Sequence, residues 1–130
     1  LNDNNIPNGN SIYLLISKKL NNIVPDNKWK ERIEILSKSF HSHINSNFTQ
    51  MFSYIKILDI CEDNITVTIN SNNPDTIEKM REQTIKKFMD KATIIYKEDN
   101  SEDYFIICKK QTCSPKLTNL EEVENYFKNL

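Results

Sequence analysis

The sequence predicts an α+β fold: a small antiparallel or mixed sheet of about four strands packed by about five helices, in the order α-α-α-β-β-α-β-β-α. Three observations carry that prediction. Trp29, Ile33, Leu36, Phe40 and Ile44 recur at steps of three and four residues, the spacing of a helix with one apolar side. ITVTIN, residues 65–70, alternates β-branched apolar side chains with polar ones, the two-residue period of a half-buried strand. The strand-like segments come in neighbouring pairs, which favours α+β over a doubly wound parallel sheet.

Residues 1–10, LNDNNIPNGN, are polar and hold both Pro and Gly, so they read as a disordered lead-in. A first helix follows, with Ser11 as its cap and Ile12, Leu15, Ile16, Leu20 and Ile23 on its buried face, and Pro25 stops it. Asp26 caps the second helix, which runs to about Ile44. Phe48, Met51, Phe52 and Ile55 suggest a short third helix, after which residues 55–70 read as a β-hairpin turning at Glu62, Asp63 and Asn64. Asn73 as cap, Pro74 at the first helical position and Asp75 in the first turn open the next helix. Ile77, Met80, Thr84, Ile85 and Phe88 are its buried stripe. ATIIYK and DYFIICKK give a second hairpin over residues 92–110. Thr118 with Glu121 has the capping-box spacing of a final helix lined by Leu120, Val123, Phe127 and Leu130.

At 130 residues the chain has the length of one domain, and residues 11–130 are read as one. That length can bury roughly two-thirds of the unfolded surface without help from disulfides or metals. With 38% apolar and 27% charged residues it belongs with globular rather than disordered chains. Seventeen basic against eighteen acidic side chains argue against a dedicated binder of duplex DNA, so a nucleic-acid partner is not expected. No apolar run approaches the roughly 18–20 residues of a membrane span, and no membrane partner is expected either. Beginning at Leu1 rather than Met, the chain reads as a mature or excised fragment. The abundance of Asn and Ile reads as the codon bias of an AT-rich genome.

Reactive groups are few and scattered. The single glycine, Gly9, cannot build a phosphate-cradling loop, and no cofactor is expected. His41 and His43, two apart on a helix, point about 200° from each other and cannot share a metal ion. A cysteine nucleophile would need one of these histidines through a tertiary contact that no motif announces. Catalytic and metal-binding residues are therefore expected to be none, and the chain is read as not an enzyme. The three cysteines, Cys61, Cys108 and Cys113, do not form a framework. Cys108 and Cys113 could pair in an oxidising setting; the plainer reading is free thiols in a reducing, cytoplasmic one. Sequons at Asn47 and Asn64 are what chance supplies in a chain this rich in Asn, Ser and Thr.

Lys86, Lys87, Lys91, Lys109 and Lys110 form a modest basic set interleaved with Tyr96, Tyr104 and Phe105. Aromatics beside lysines on a sheet can stack single-stranded bases. Aromatics that pack the core and lysines that keep the surface soluble account for the same pattern.

Residues 29–97 resemble a known arrangement: the helix beginning near Trp29, the aromatic stretch FTQMFSYI, the segment IKILDICEDNITVTIN, the helix NPDTIEKMREQTIKKF and the strand ATIIYK. This order is similar to the N-terminal domain of the bacterial replication initiator and to the C-terminal domain of the clamp-loader tau subunit, both K-homology-like folds. The resemblance implies a docking module that joins a replication protein to a replisome component or to itself. It implies partner-binding roles for Trp29, Phe48, Phe52 and Tyr54, residues for which plain core packing is the stronger explanation. The expected function is thus a non-catalytic protein–protein interaction domain. The alternatives are a nucleic-acid-binding module of K-homology-like shape, which lacks the GXXG clamp here, and a surface or secreted domain of an AT-rich parasite or virus.

Overall fold

A computed structural model describes Asn2, Asp3, residues 6–99 and residues 102–130. Its contacts divide the chain into two compact units, Leu1–Glu62 and Asp63–Leu130. Among the described residues, five α-helices and a mixed sheet of four strands make up the α+β fold that the sequence predicts.

The first unit is helical. Helix α1 (Gly9–Ile23) is capped by the Asn8 side chain, which accepts from the Asn10 amide, so Ser11 is not the cap. Helix α2 (Asn27–Asn47) starts at the Asp26 cap, as expected, and continues into a 3-10 turn, Phe48–Gln50. Helix α3 (Phe52–Glu62) occupies the stretch where the sequence suggested the first strand of a hairpin. The misreading has a physical cause: Ile55 and Ile57 fit the two-residue period of a strand while Ile57 and Ile60 fit helical spacing, and a short apolar run does not discriminate between them. Packing selects the helix. Tyr54 and Ile57, three residues apart, close a core with Leu14, Phe40 and Met51, and the Tyr54 ring stacks on Phe40 at 4.4 Å between centroids.

The expected disordered lead-in is tied down at Asp3. Its carboxylate accepts from the amides of Ser53 (2.6 Å) and Asn8 (2.7 Å), and its own amide donates to the Gln50 carbonyl. Burial alone would raise the Asp3 pKa, but the hydrogen bonds from Ser53 and Asn8 outweigh it and hold the carboxyl below its ordinary value.

The second unit holds the sheet, in strand order β2-β1-β3-β4. Strand β1 (Ile65–Asn70) leads through helix α4 (Pro74–Phe88) into β2 (Ala92–Lys97), which lies parallel to it. Strand β3 (Tyr104–Lys109) pairs antiparallel with the other edge of β1, and the two-residue β4 (Thr112–Cys113) turns back onto β3. Neither expected hairpin forms as drawn, because β1 is central and β2 and β3 flank it on opposite sides. Asn70 shows what directs this path. Buried at the end of β1, it donates to the Asp99 carboxylate (2.8 Å) and accepts from the Asp99 amide (3.2 Å), holding the chain where it passes from one flank of β1 to the other.

Ile65, Val67 and Ile69 on β1 meet Met80 of α4, Phe105 and Ile107 of β3, and Val123 and Phe127 of helix α5 (Leu120–Lys128) in one core. Asn73 and Pro74 open α4 as expected, whereas Asn119 rather than Thr118 caps α5. Thr118 instead donates its amide to the Glu122 carboxylate, one residue ahead of the cap itself. Ile85, assigned to the buried stripe of α4, is 44% exposed.

Candidate interaction surface

The geometry of α1 departs most from its sequence pattern. Its buried positions are Ser11, Leu14 and Ser17, and the isoleucines expected inside face out: Ile12 is 40%, Ile16 48% and Ile23 44% exposed. At about 100° per residue, Ile12, Ile16, Leu20 and Ile23 fall within roughly 80° of one another, nearly opposite Leu14. The inner face works sterically because serine is small: α1 can approach α2 and α3 closely while Leu14, with Leu15 packed at its side, fills the space beside Phe40, Met51 and Tyr54. It carries a cost, since the hydroxyls of Ser11 and Ser17 are buried with no hydrogen-bond partner among the described residues. The helix is therefore apolar on both sides, and only one side is packed by the unit it belongs to.

The outer face continues onto α2. Tyr13, on the flank of the stripe, accepts a 2.7 Å hydrogen bond from Arg32 Nη1. The same guanidinium lies 6.0 Å from the Tyr13 ring and 5.5 Å from the Trp29 ring. Tyr, Trp and Arg are the side chains most often found at the energetic centres of protein interfaces, because each offers a large rigid surface with a polar handle.

Of the four residues the resemblance put forward as partner-binding, the structure scatters three and buries one. Trp29 stands in the first turn of α2 and Phe48 just past its last, so their backbones are roughly 28 Å apart along the helix. Phe48 and Phe52, 58% and 63% exposed, flank the corner between α2 and α3. Tyr54 is core, and burial pushes its phenol pKa up. Ile12 and Ile16 were missed as surface residues because their stripe was assigned to the interior, and Tyr13 and Arg32 were not singled out. The competing Ser11-Leu14-Ser17 stripe was the signal that could have revealed them.

Other places in the molecule offer less. A cleft of about 340 Å³ opens at one rim of the sheet unit, lined by Asp63, Ile65, Lys87, Phe88, Lys91 and Lys109 among others. Lys109 is paired there with Asp63 at 3.8 Å, so part of its charge is balanced locally. Among the described residues the three non-glycine positions with positive φ, Asn64, Met89 and Lys110, sit at this rim, next to the starts of β1 and β2 and the end of β3. The lysines gather at that end, whereas Tyr96 pairs with Ile69 near the other end and Phe105 is core. Tyr104, buried and paired with Asn70 at that other end, has Lys116 rather than a rim lysine 4.5 Å from its ring, so the lysines and aromatics singled out in the sequence lie at different places. A shallow groove beside α2 holds Ser37, His41, Ser42 and Tyr54. Among the described residues no three His, Cys, Asp or Glu side chains gather as a metal site, and no helix is long and apolar enough to cross a membrane.

The cysteines correct one expectation. Cys108 and Cys113 are bonded to each other rather than free. The two-residue turn Lys110–Gln111 sets them directly opposite in the β3–β4 pairing, a register the sequence spacing alone did not fix. Cys61 remains a thiol; burial raises its pKa, and Lys18 and Lys19 partly offset that. No protein-family model, no curated protein and no solved structure matches this chain.

Proposed function

We propose that this chain is a non-catalytic protein–protein interaction module whose contact surface is the outer face of α1, extended by Tyr13, Trp29 and Arg32. The observation that carries the proposal is the two-sided apolarity of α1. Its inner face already closes the core of the helical unit, so a second apolar face stabilises nothing within that unit while it is in contact with water. Phe48 and Phe52 give a second, smaller apolar place on the same unit. The resemblance of residues 29–97 to replication docking domains supplies one setting, a replisome partner.

The test is selection of helical peptides from a display library on the immobilised protein. Peptides with apolar residues at i, i+3, i+4 and i+7 should be enriched, and they should lose binding to an Ile12→Lys/Ile16→Lys variant. Equal enrichment on the variant, or none on either protein, removes the proposal.

The Cys108–Cys113 bond favours a second setting, a surface or secreted module in an oxidising compartment, over the cytoplasmic one read from the sequence. Alkylation of protein isolated from its source without reduction, followed by intact-mass measurement, separates the two. One labelled cysteine, Cys61, supports the oxidising setting, and three labelled cysteines support the reducing one.

A further inference from the structure

We propose that the Cys108–Cys113 bond is a redox-sensitive latch on the strap that covers the outer edge of β3. The proposal concerns the sheet unit and is independent of the α1 surface. In a sheet ordered β2-β1-β3-β4, one edge of β3 pairs with β1 and the other, among the described residues, is covered by residues 112–117. The two ends of that strap are held differently. At Leu117 the backbone exchanges two hydrogen bonds with Phe105, 2.8 and 3.0 Å long, and the Leu117 side chain belongs to the core. At Ser114 the exchange is incomplete. The Ser114 amide donates to the Ile107 carbonyl at 2.8 Å, but the Ile107 amide donates to the Ser114 hydroxyl rather than to a carbonyl. Pro115 adds no donor, and β4 itself is two exposed residues.

The turn that closes this hairpin does little to hold it. Lys110 takes the first of the two turn positions at φ 56°, a conformation that favours glycine. Its amide donates to the Asp63 carbonyl at 2.9 Å, so the β3 side of the turn stays fixed and opening falls on residues 111–116. Cys108 and Cys113 face each other one pair beyond Lys109 and Thr112. In a two-residue hairpin the closing pair exchanges backbone hydrogen bonds and the next pair does not, so at this level the covalent bond alone joins strap to strand. The bonded residues are five apart in sequence. So short a loop restricts little of the unfolded chain, and the effect of the bond is local.

Cys113 is exposed and Cys108 half-buried, so a reductant reaches the bond without unfolding the sheet. The reductant is a dithiol. One of its thiolates attacks the Cys113 sulfur, the Cys108–Cys113 bond breaks, and Cys108 leaves as a thiolate that takes a proton. The second thiol then displaces Cys113, and the reductant closes to its own disulfide, having supplied two electrons and two protons. With the bond gone the strap is held at Leu117 and released at Ser114, and the Ile107 amide and carbonyl turn to water. Oxidation restores the cover.

Residue-resolved amide hydrogen exchange of the full chain tests this, with Cys61→Ser removing the remaining thiol. After reduction with dithiothreitol the Ser114 and Ile107 amides are expected to exchange at least about tenfold faster than in the oxidised chain, while the Phe105, Leu117 and β1 amides stay within about twofold. A Cys108→Ser/Cys113→Ser variant should show the fast pattern with or without dithiothreitol, and oxidised glutathione should return the reduced parent to the slow one. Unchanged exchange at Ser114 and Ile107 overturns the proposal, because the strap then holds itself. Equal acceleration in β1 overturns it as well, because the bond then stabilises the whole unit rather than the strap. A response to dithiothreitol that survives in the double variant does the same, since it cannot come from this bond.

Discussion

The two units of this chain solve the burial of apolar surface in different ways. In Asp63–Leu130 the sheet draws its partners from distant sequence: β1 meets β2, β3, α4 and α5, and Ile65, Val67, Ile69, Met80, Phe105, Ile107, Val123 and Phe127 enclose one another. In Leu1–Glu62 the helices close a smaller core around Leu14, Phe40, Met51, Tyr54 and Ile57, and Ile12, Ile16, Ile23, Ile35, Phe48 and Phe52 stay exposed. A central strand gathers neighbours on both edges and at least one face. A helix in a small bundle gathers them on one side, and whatever its other side carries is left for a partner. The lesson is that surplus apolar surface, rather than a reactive cluster, marks the part of this molecule to examine for function.

The largest expected effect separates the two cores. Phe105→Ala should cost about 3–5 kcal/mol, read as a lower denaturation midpoint in the strand-derived far-ultraviolet signal. Trp29, the single tryptophan, reports on the helical unit, and its fluorescence transition is expected to stay in place in that variant. A common downward shift would merge the two units into one cooperative structure. Leu14→Ala, at about 2–5 kcal/mol, should do the converse and move the Trp29 transition.

The next effects are gains of stability. Met89 ends α4 at φ 53° and ψ −121°, and the amide of Lys91 bonds to the carbonyl of Phe88 at 3.0 Å. That is the first central position of a type II′ turn, where glycine is favoured. Met89→Gly should stabilise the sheet unit by about 1 kcal/mol, and no rise in its midpoint would mean the turn relaxes in solution. On the helical side, Ser17→Ala removes a buried hydroxyl without a partner and exchanges a weak helix former for a strong one. It should raise the Trp29 midpoint by the equivalent of roughly 1 kcal/mol, and a loss instead would show that the hydroxyl is hydrogen-bonded.

The smallest effect concerns pH. The folded pKa of Asp3 lies below its unfolded value, so its contribution to stability is present above the ordinary carboxylate range and is lost as pH falls through the lower folded value. Asp3→Asn should flatten the acid limb of the helical unit's stability profile slightly and leave that of the sheet unit unchanged. An unaltered acid limb would mean that the amides of Asn8 and Ser53 find other acceptors at no cost.

Legibility in the sequence followed the range of the interactions. α2 was visible from Asp26 and its five-residue stripe, and α4 from Asn73 and Pro74, because caps and periodicity act within a few residues. The strands were visible as segments, but their partners were not: parallel pairing of β1 with β2 depends on α4 crossing between them, and the β1–β3 pairing on a loop held by Asn70. Residues 55–62 were read as strand because local period and β-branching are silent about Phe40, the residue that Tyr54 stacks on. The candidate surface was misplaced for a related reason. α1 has two apolar sides, and the sequence favours the bulkier one as interior, whereas close packing in the helical unit selects the side with small residues.

The amino-acid order by itself determined which segments are helix-capable or strand-capable, the α+β class, and the near-balance of charge, since each follows from side-chain chemistry acting over one or two turns of chain. Tertiary structure decided that β1 is central, that Cys108 faces Cys113, and that Ser11, Leu14 and Ser17 rather than the isoleucines of α1 point inward. These are outcomes of steric fit between elements distant in sequence. Such fit depends on shape and volume at the contact, which hydrophobic pattern alone does not encode.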